Sequence, residues 1–107
     1  MREKKRYATV AIVEEVGVDI QRLLWEMLDD RIEQGHTLDY LQVFDLSVIS
    51  INGQAMQRVC NWQEQPCLQI ESVTTQIDTT QIESPIQTTI WIIDDGDCYT
   101  MLYPYEY

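Results

Sequence analysis

Thr88-Thr89-Ile90-Trp91-Ile92-Ile93-Asp94-Asp95-Gly96-Asp97-Cys98-Tyr99-Thr100-Met101-Leu102-Tyr103 is the stretch whose reading decides the fold. Two β-prone runs flank an Asp95-Gly96 step, and glycine tolerates the positive φ that a tight hairpin turn demands. The two runs carry Trp91, three isoleucines, Met101 and two tyrosines. They can therefore supply central strands of a sheet. Three aspartates fall within four residues at the tip, so a structural turn and an acidic functional tip look alike here.

Working outward, Asn52-Gly53 is a second hairpin signal of the same kind. A two-residue loop there pairs Ile51 with Gln54, Ile49 with Met56, Ser47 with Arg58 and Val43 with Trp62. The flanking strands run from Tyr40, with an irregularity expected near Asp45, to Glu64-Gln65-Pro66, where proline ends the ladder. One face carries Val43, Ile49, Ile51, Met56, Cys60 and Trp62. The other carries Phe44, Leu46, Val48, Ala55 and Val59. Cys67–Val73 reads as a weaker edge strand. Residues 74–87, rich in Thr, Gln and Ser, read as a polar loop tacked down by Ile77 and Ile82.

Toward the N-terminus, Tyr7–Val13 is a β-rich run with apolar residues in both phases. A helix is predicted from Val18 to Gln34. Ile20, Leu23, Leu24, Met27, Leu28 and Ile32 recur at three- and four-residue spacing, with Trp25 at the edge of the stripe. Arg22, Glu26, Asp29, Asp30 and Glu33 take the opposite face. Asp19 suits the first turn, Gly35 the position past the end, and His36 a surface or capping role. The expected fold class is α+β: one amphipathic helix packed on a mostly antiparallel sheet of about five strands, in the order β-α-β-β-(β)-β-β. One domain is expected over residues 1–107, with a disordered basic leader at residues 1–6.

The formal charge is -11 in 107 residues. Residues 1–6 hold four of the seven basic residues, so the body keeps Arg22, Arg31 and Arg58 against seventeen acidic groups. Phosphate neutralisation needs a basic face, which argues against direct binding to nucleic acid or to an anionic membrane. The longest apolar runs are too short to span a bilayer. The basic start is followed by no apolar core or cleavage site of a secretory signal. A cytoplasmic location is therefore expected.

Catalytic and metal motifs are missing from the pattern. The glycines are scattered, with no phosphate loop, and no nucleophile elbow or zinc-protease motif occurs. Cys60, Cys67 and Cys98 form no C-x-x-C pair, and His36 is the only imidazole, so free thiols are expected rather than a zinc site. Asp94-Asp95-Gly96-Asp97 has the start of a calcium loop but lacks its later ligands, and turn formation accounts for the same residues. No cofactor and no metal are expected. The least generic feature is a set of aromatic residues, Trp91, Tyr99, Tyr103, Tyr105, Tyr107 and Trp25. They serve either as core and edge cover or as an amphipathic patch for a protein partner.

Arg6-Tyr7-Ala8-Thr9, Leu24-Trp25, Leu38–Phe44, Trp91–Gly96, Thr100-Met101-Leu102 and Pro104–Tyr107 together resemble the motifs of the domain of unknown function 960 family. Those are small proteins of staphylococci and other Firmicutes, often carried on mobile elements. The resemblance spans nearly the whole chain and is weakest over residues 46–88. It implies a Gram-positive or phage-related source and supplies no catalytic residues. The expected function is a non-enzymatic interaction or accessory protein with a protein partner. An acidic inhibitor that mimics DNA toward a DNA-binding enzyme is the alternative, and an enzyme without a recognisable motif is the third. A sheet with one helix leaves a second apolar face, which predicts cover by residues 74–87 or a weak homodimer.

Overall fold

The computed structural model describes residues 4–74 and 85–107. Along the chain run β1 (Lys5–Ala8), α1 (Val10–Glu15), α2 (Val18–Glu33), β2 (Leu41–Ile51), β3 (Gln54–Gln63), β4 (Leu68–Thr74), β5 (Thr88–Asp94) and β6 (Cys98–Leu102). A 3-10 turn over Pro104–Glu106 ends it. The strands form one sheet in the order β1-β6-β5-β2-β3-β4. Every neighbouring pair is antiparallel except β1 with β6. The α+β class therefore stands, with six strands and two α-helices among the described residues in place of about five and one.

The second helix is the main correction. The β-run expected over Tyr7–Val13 stops at Ala8, and Val10–Glu15 is helical. Thr9 caps it, its hydroxyl accepting the amide N–H of Ile12 at 3.4 Å. Ile12 and Val16, four residues apart, are buried, while Val10 and Val13 are 70% and 60% exposed. A short apolar run satisfies strand and helix spacing alike, and packing chose the helix. The basic leader also enters the fold. Lys5 and Arg6 open β1, and Lys4 donates to Asp94 at 2.6 Å. Residues 1–3 lie outside the described residues.

Helix α2 lies where the apolar stripe predicts. Ile20, Leu24, Met27 and Leu28 are buried against Phe44, Leu46, Val59, Ile90, Ile92 and Met101 of the sheet. Each fully buried Leu or Ile contributes roughly 1.5–3 kcal/mol. Asp19 sits in the first turn and accepts the Ile20 amide at 2.9 Å. The helix closes with two reverse bonds, from His36 N to Arg31 O and from Gly35 N to Ile32 O, which satisfy its last carbonyls. The stripe departs from expectation in its last turn. Ile32 is 37% exposed, and Arg31 is the buried residue, at 2%.

The β2–β3 hairpin closes at Asn52-Gly53 with every predicted pair in place, from Ile51 opposite Gln54 to Val43 opposite Trp62. The ladder runs unbroken through Asp45, paired with Cys60 on one side and Thr89 on the other, so the irregularity expected there does not occur. β4 is an edge strand. The polar loop expected at residues 74–87 falls mostly outside the described residues, Ile77 and Ile82 included. Residues 85–87 are described, and Gln57 holds them to the sheet: its side chain accepts Ile86 N at 2.7 Å and donates to Ile86 O at 3.0 Å.

At the terminal hairpin, Asp94 pairs with Tyr99, and Asp95 N donates to Cys98 O at 3.1 Å. The two residues between are Gly96 and Asp97, so the turn centre lies one residue beyond the Asp95-Gly96 step.

Candidate functional site

Both helices pack on the sheet face that carries Phe44, Val59 and Ile90. The outer face is built by the alternate residues. Val43 lies at its middle, paired with Trp62 of β3 and with Trp91 of β5. Two strand spacings set the Cα atoms of the two tryptophans about 10 Å apart, with Val43 as the floor between them. A concavity of about 350 Å³ opens there, lined by Asp39, Tyr40, Leu41, Val43, Asp45, Trp62, Gln63, Glu64, Thr89, Trp91 and Pro104. That volume is within the range of small-ligand pockets. The lining holds three carboxylates and no Lys, Arg or His.

Asp45 is the fixed polar point of this surface. Its Oδ2 accepts the Trp62 indole N–H at 2.9 Å, and its Oδ1 accepts the Thr89 hydroxyl at 3.0 Å. Both contacts are diagonal or direct cross-strand neighbours, which a β-ladder brings within reach. Each carboxylate oxygen keeps a second lone pair. Both donors are neutral, so the negative charge is oriented without being cancelled. Asp39, at the rim, is committed to backbone: it accepts Tyr40 N at 2.7 Å and Gln65 N at 3.1 Å. The Gln65–Pro66 peptide beside it is cis.

The C-terminal residues form a further wall. Pro104 lines the concavity, and the Tyr107 ring meets Trp91 edge-on at 5.8 Å between centroids. This turn is held from below, because Glu106 Oε1 accepts both Tyr103 N at 2.9 Å and the Thr9 hydroxyl at 2.8 Å.

The six aromatic residues singled out from sequence do not form one patch. Trp91 and Tyr107 belong to the outer face. Trp25 and Tyr99 lie on the helix side, 6.3 Å apart and packed against the core, with Arg6 over the Trp25 ring and Lys4 over Tyr99. Tyr103 is buried, stacks on exposed Tyr105 at 5.1 Å and donates to Glu15 at 3.0 Å. Burial, and then that bond to Glu15, pushes the Tyr103 phenol up to about 12. Sequence reading passed over Trp62, Asp45 and Tyr40. The hairpin register had already put Trp62 opposite Val43; the missing step was that β5 is the other neighbour of β2.

The acidic tip is occupied by its own turn. Asp94 accepts from Lys4 and from Gly96 N, and Asp95 Oδ1 accepts Asp97 N at 3.1 Å and Cys98 N at 2.9 Å. The Cys98 amide hydrogen bond, and then its thiol, hold Asp95 below the usual carboxylate range. Asp95 in turn raises the Cys98 thiol. Among the described residues no group of three His, Cys, Asp or Glu side chains is arranged to hold a metal ion. Among them, too, no helix is long and apolar enough to cross a membrane.

No curated protein matches the chain. A crystal structure of a protein of unknown function from Enterococcus faecalis superposes with a TM-score of 0.73 at 23% identity, over 100% of this chain and 98% of that one. At that identity the likeness shows a shared fold. The family model described as staphylococcal protein of unknown function matches residues 5–106, from the first residue of β1 to the last of the terminal 3-10 turn. The chain belongs to that family, DUF960.

Proposed function

We propose that this is a non-enzymatic binding protein, and that the outer face of its sheet receives a cationic surface of a partner protein. The observation that carries the reading is the concavity between Trp62 and Trp91, walled by aromatic and apolar groups and edged by Asp39, Asp45 and Glu64. Asp45 is exposed and lies beside two aromatic side chains, and clustered aromatic anchors are the usual centre of a binding hot spot. The net charge of -11 favours encounter with a basic partner and disfavours polyanions. The carboxylates Asp39 and Asp45 serve as acceptors for amide, indole and hydroxyl donors, and Cys98 bonds to Asp95 away from the concavity. With Asp39 committed to backbone amides and Cys98 tied to Asp95, a binding role is favoured over a catalytic one.

The test is affinity capture from a Gram-positive lysate with wild-type protein, with Trp91→Ala, with Asp45→Asn, and with Val18→Ala as a control on exposed helix surface. Val18 is 68% exposed and opens α2, which packs on the opposite face of the sheet. The reading expects a protein retained by wild type and by Val18→Ala, lost with both outer-face variants, and released by salt. Retention that ignores the outer-face changes would remove it.

A further inference from the structure

We infer that the concavity is a receptor for one arginine side chain presented by the partner, an assignment that rests on the binding role proposed above. Three features select the group. The slot has a tryptophan on each side of a valine floor, which suits a flat cation stacked on an indole face. Asp45 stands at the slot with both oxygens oriented by neutral donors and one lone pair free on each, a fit for the two parallel N–H groups of a guanidinium. The rim adds Asp39 and Glu64 with no competing cation in the lining. Lysine offers a compact point charge that stacks less well on an indole and cannot present two parallel N–H groups to one carboxylate. A quaternary ammonium has no N–H to give Asp45.

Among the described residues, none of the chain's own cations lines the concavity. Arg58 shares the outer face but pairs with Glu71 on β4, Arg31 is buried under α2, and Lys4 and Arg6 bridge Asp94 and Asp29. Two copies of a chain with charge -11 repel each other, which weighs against a second molecule as the occupant.

The experiment follows the indole N–H resonances of Trp62 and Trp91 in the intact protein. Three peptides are titrated: acetyl-Gly-Arg-Gly-amide, its lysine analogue and its citrulline analogue, which keeps the shape and loses the charge. The arginine peptide is expected to shift both indole signals. The lysine peptide should bind several-fold more weakly and the citrulline peptide at least tenfold more weakly. Asp45→Asn, which keeps the shape of the side chain, should weaken arginine binding at least tenfold while the remaining spectrum stays folded. Equal binding of arginine and lysine, equal binding of citrulline, or no shift of either indole would overturn the assignment. Self-association that disappears in Asp45→Asn would give the face to a second copy and also overturn it. If the peptides fail while lysate capture still depends on Trp91 and Asp45, the arginine assignment falls and the binding role stands. If capture fails too, both fall.

Discussion

Arg31 donates to the side-chain oxygen of Asn61 across 2.6 Å inside the core. Gln42 and Gln63 accept from the same guanidinium, so amide dipoles meet its two terminal nitrogens where a carboxylate is the usual partner, and its Nε is left without a hydrogen-bond partner. Burial pulls the guanidinium below its ordinary pKa. The amides are themselves held: Gln42 donates to Asp39 O, Asn61 to Val43 O, and Gln63 to Thr37 O and Pro66 O. Arg31→Ala would leave Asn61 Oδ1 without its donor and open a void beside it. The expected loss is about 3–5 kcal/mol of unfolding free energy, with about 1–3 kcal/mol for Arg31→Lys, which cannot fork between acceptors. Urea midpoints measure both; a loss below about 1 kcal/mol for the alanine variant would show that the shell relaxes without the cation.

Tyr103 ties the last strand to the first helix through its bond to Glu15. Its folded-state pKa of about 12 lies above the ordinary phenol value of 10.0. A raised folded pKa means that the stability Tyr103 contributes is whole below about pH 10 and is lost as pH rises through about 12. Tyr103→Phe should lower stability by about 1.5–3 kcal/mol at pH 8, the worth of one hydrogen bond to a charged acceptor. The gap between wild type and variant should narrow steadily from pH 10 to 12. Denaturant midpoints across that range decide it, and a constant gap would mean that Tyr103 ionises as freely in the fold as outside it.

The parts of this fold that could be read from sequence are those set by local chemistry. Loop length alone determines the pairing of Val43 with Trp62, because a two-residue turn permits one register. The stripe from Ile20 to Leu28 needs only helical spacing. What escaped depends on contacts between distant segments. Nothing in the helical spacing marks Arg31 for burial until β2 and β3 bring Gln42, Asn61 and Gln63 beneath it. Val10–Val13 reads as strand until Ile12 and Val16 find the core. The candidate site is the clearest case. Trp62 and Trp91 are 29 positions apart in the chain, and only the placement of β5 beside β2 puts them on one floor.

Cys98 is made less reactive by its neighbour. Its thiol lies 3.2 Å from Asp95 Oδ2, and the bond to that carboxylate raises its pKa. Cys67 is exposed and Cys60 buried. Alkylation by iodoacetamide at pH 8 is therefore expected to modify Cys67 first, Cys98 severalfold more slowly and Cys60 last, because the thiolate is the nucleophile. Asp95→Asn should speed Cys98 selectively. Peptide mapping of a time course gives the order, and a Cys98 that outpaces Cys67 in the wild type would revive a nucleophilic role for it.

The two hairpin turns should respond alike to a methyl group for a backbone reason. Gly53 has φ 80° and Gly96 φ 101°, while a Cβ built at either position meets nothing within 4 Å. Substitution therefore adds strain without a clash. Gly53→Ala and Gly96→Ala should each cost about 1–2 kcal/mol. Asn52, at φ 52°, already sits where glycine is easier, so Asn52→Gly should change stability by less than about 0.5 kcal/mol. The Gly96 variant carries more information, because Asp94, Asp95 and Cys98 all bond across that turn. If the register is set by this loop, Gly96→Ala should also loosen Lys4 from Asp94, and salt should then affect the variant's stability less than the wild type's. Thermal midpoints at low and high ionic strength test this directly. Equal salt dependence in the two proteins would mean that the β5–β6 register is held by Ile92 and Met101 in the core, with the turn following.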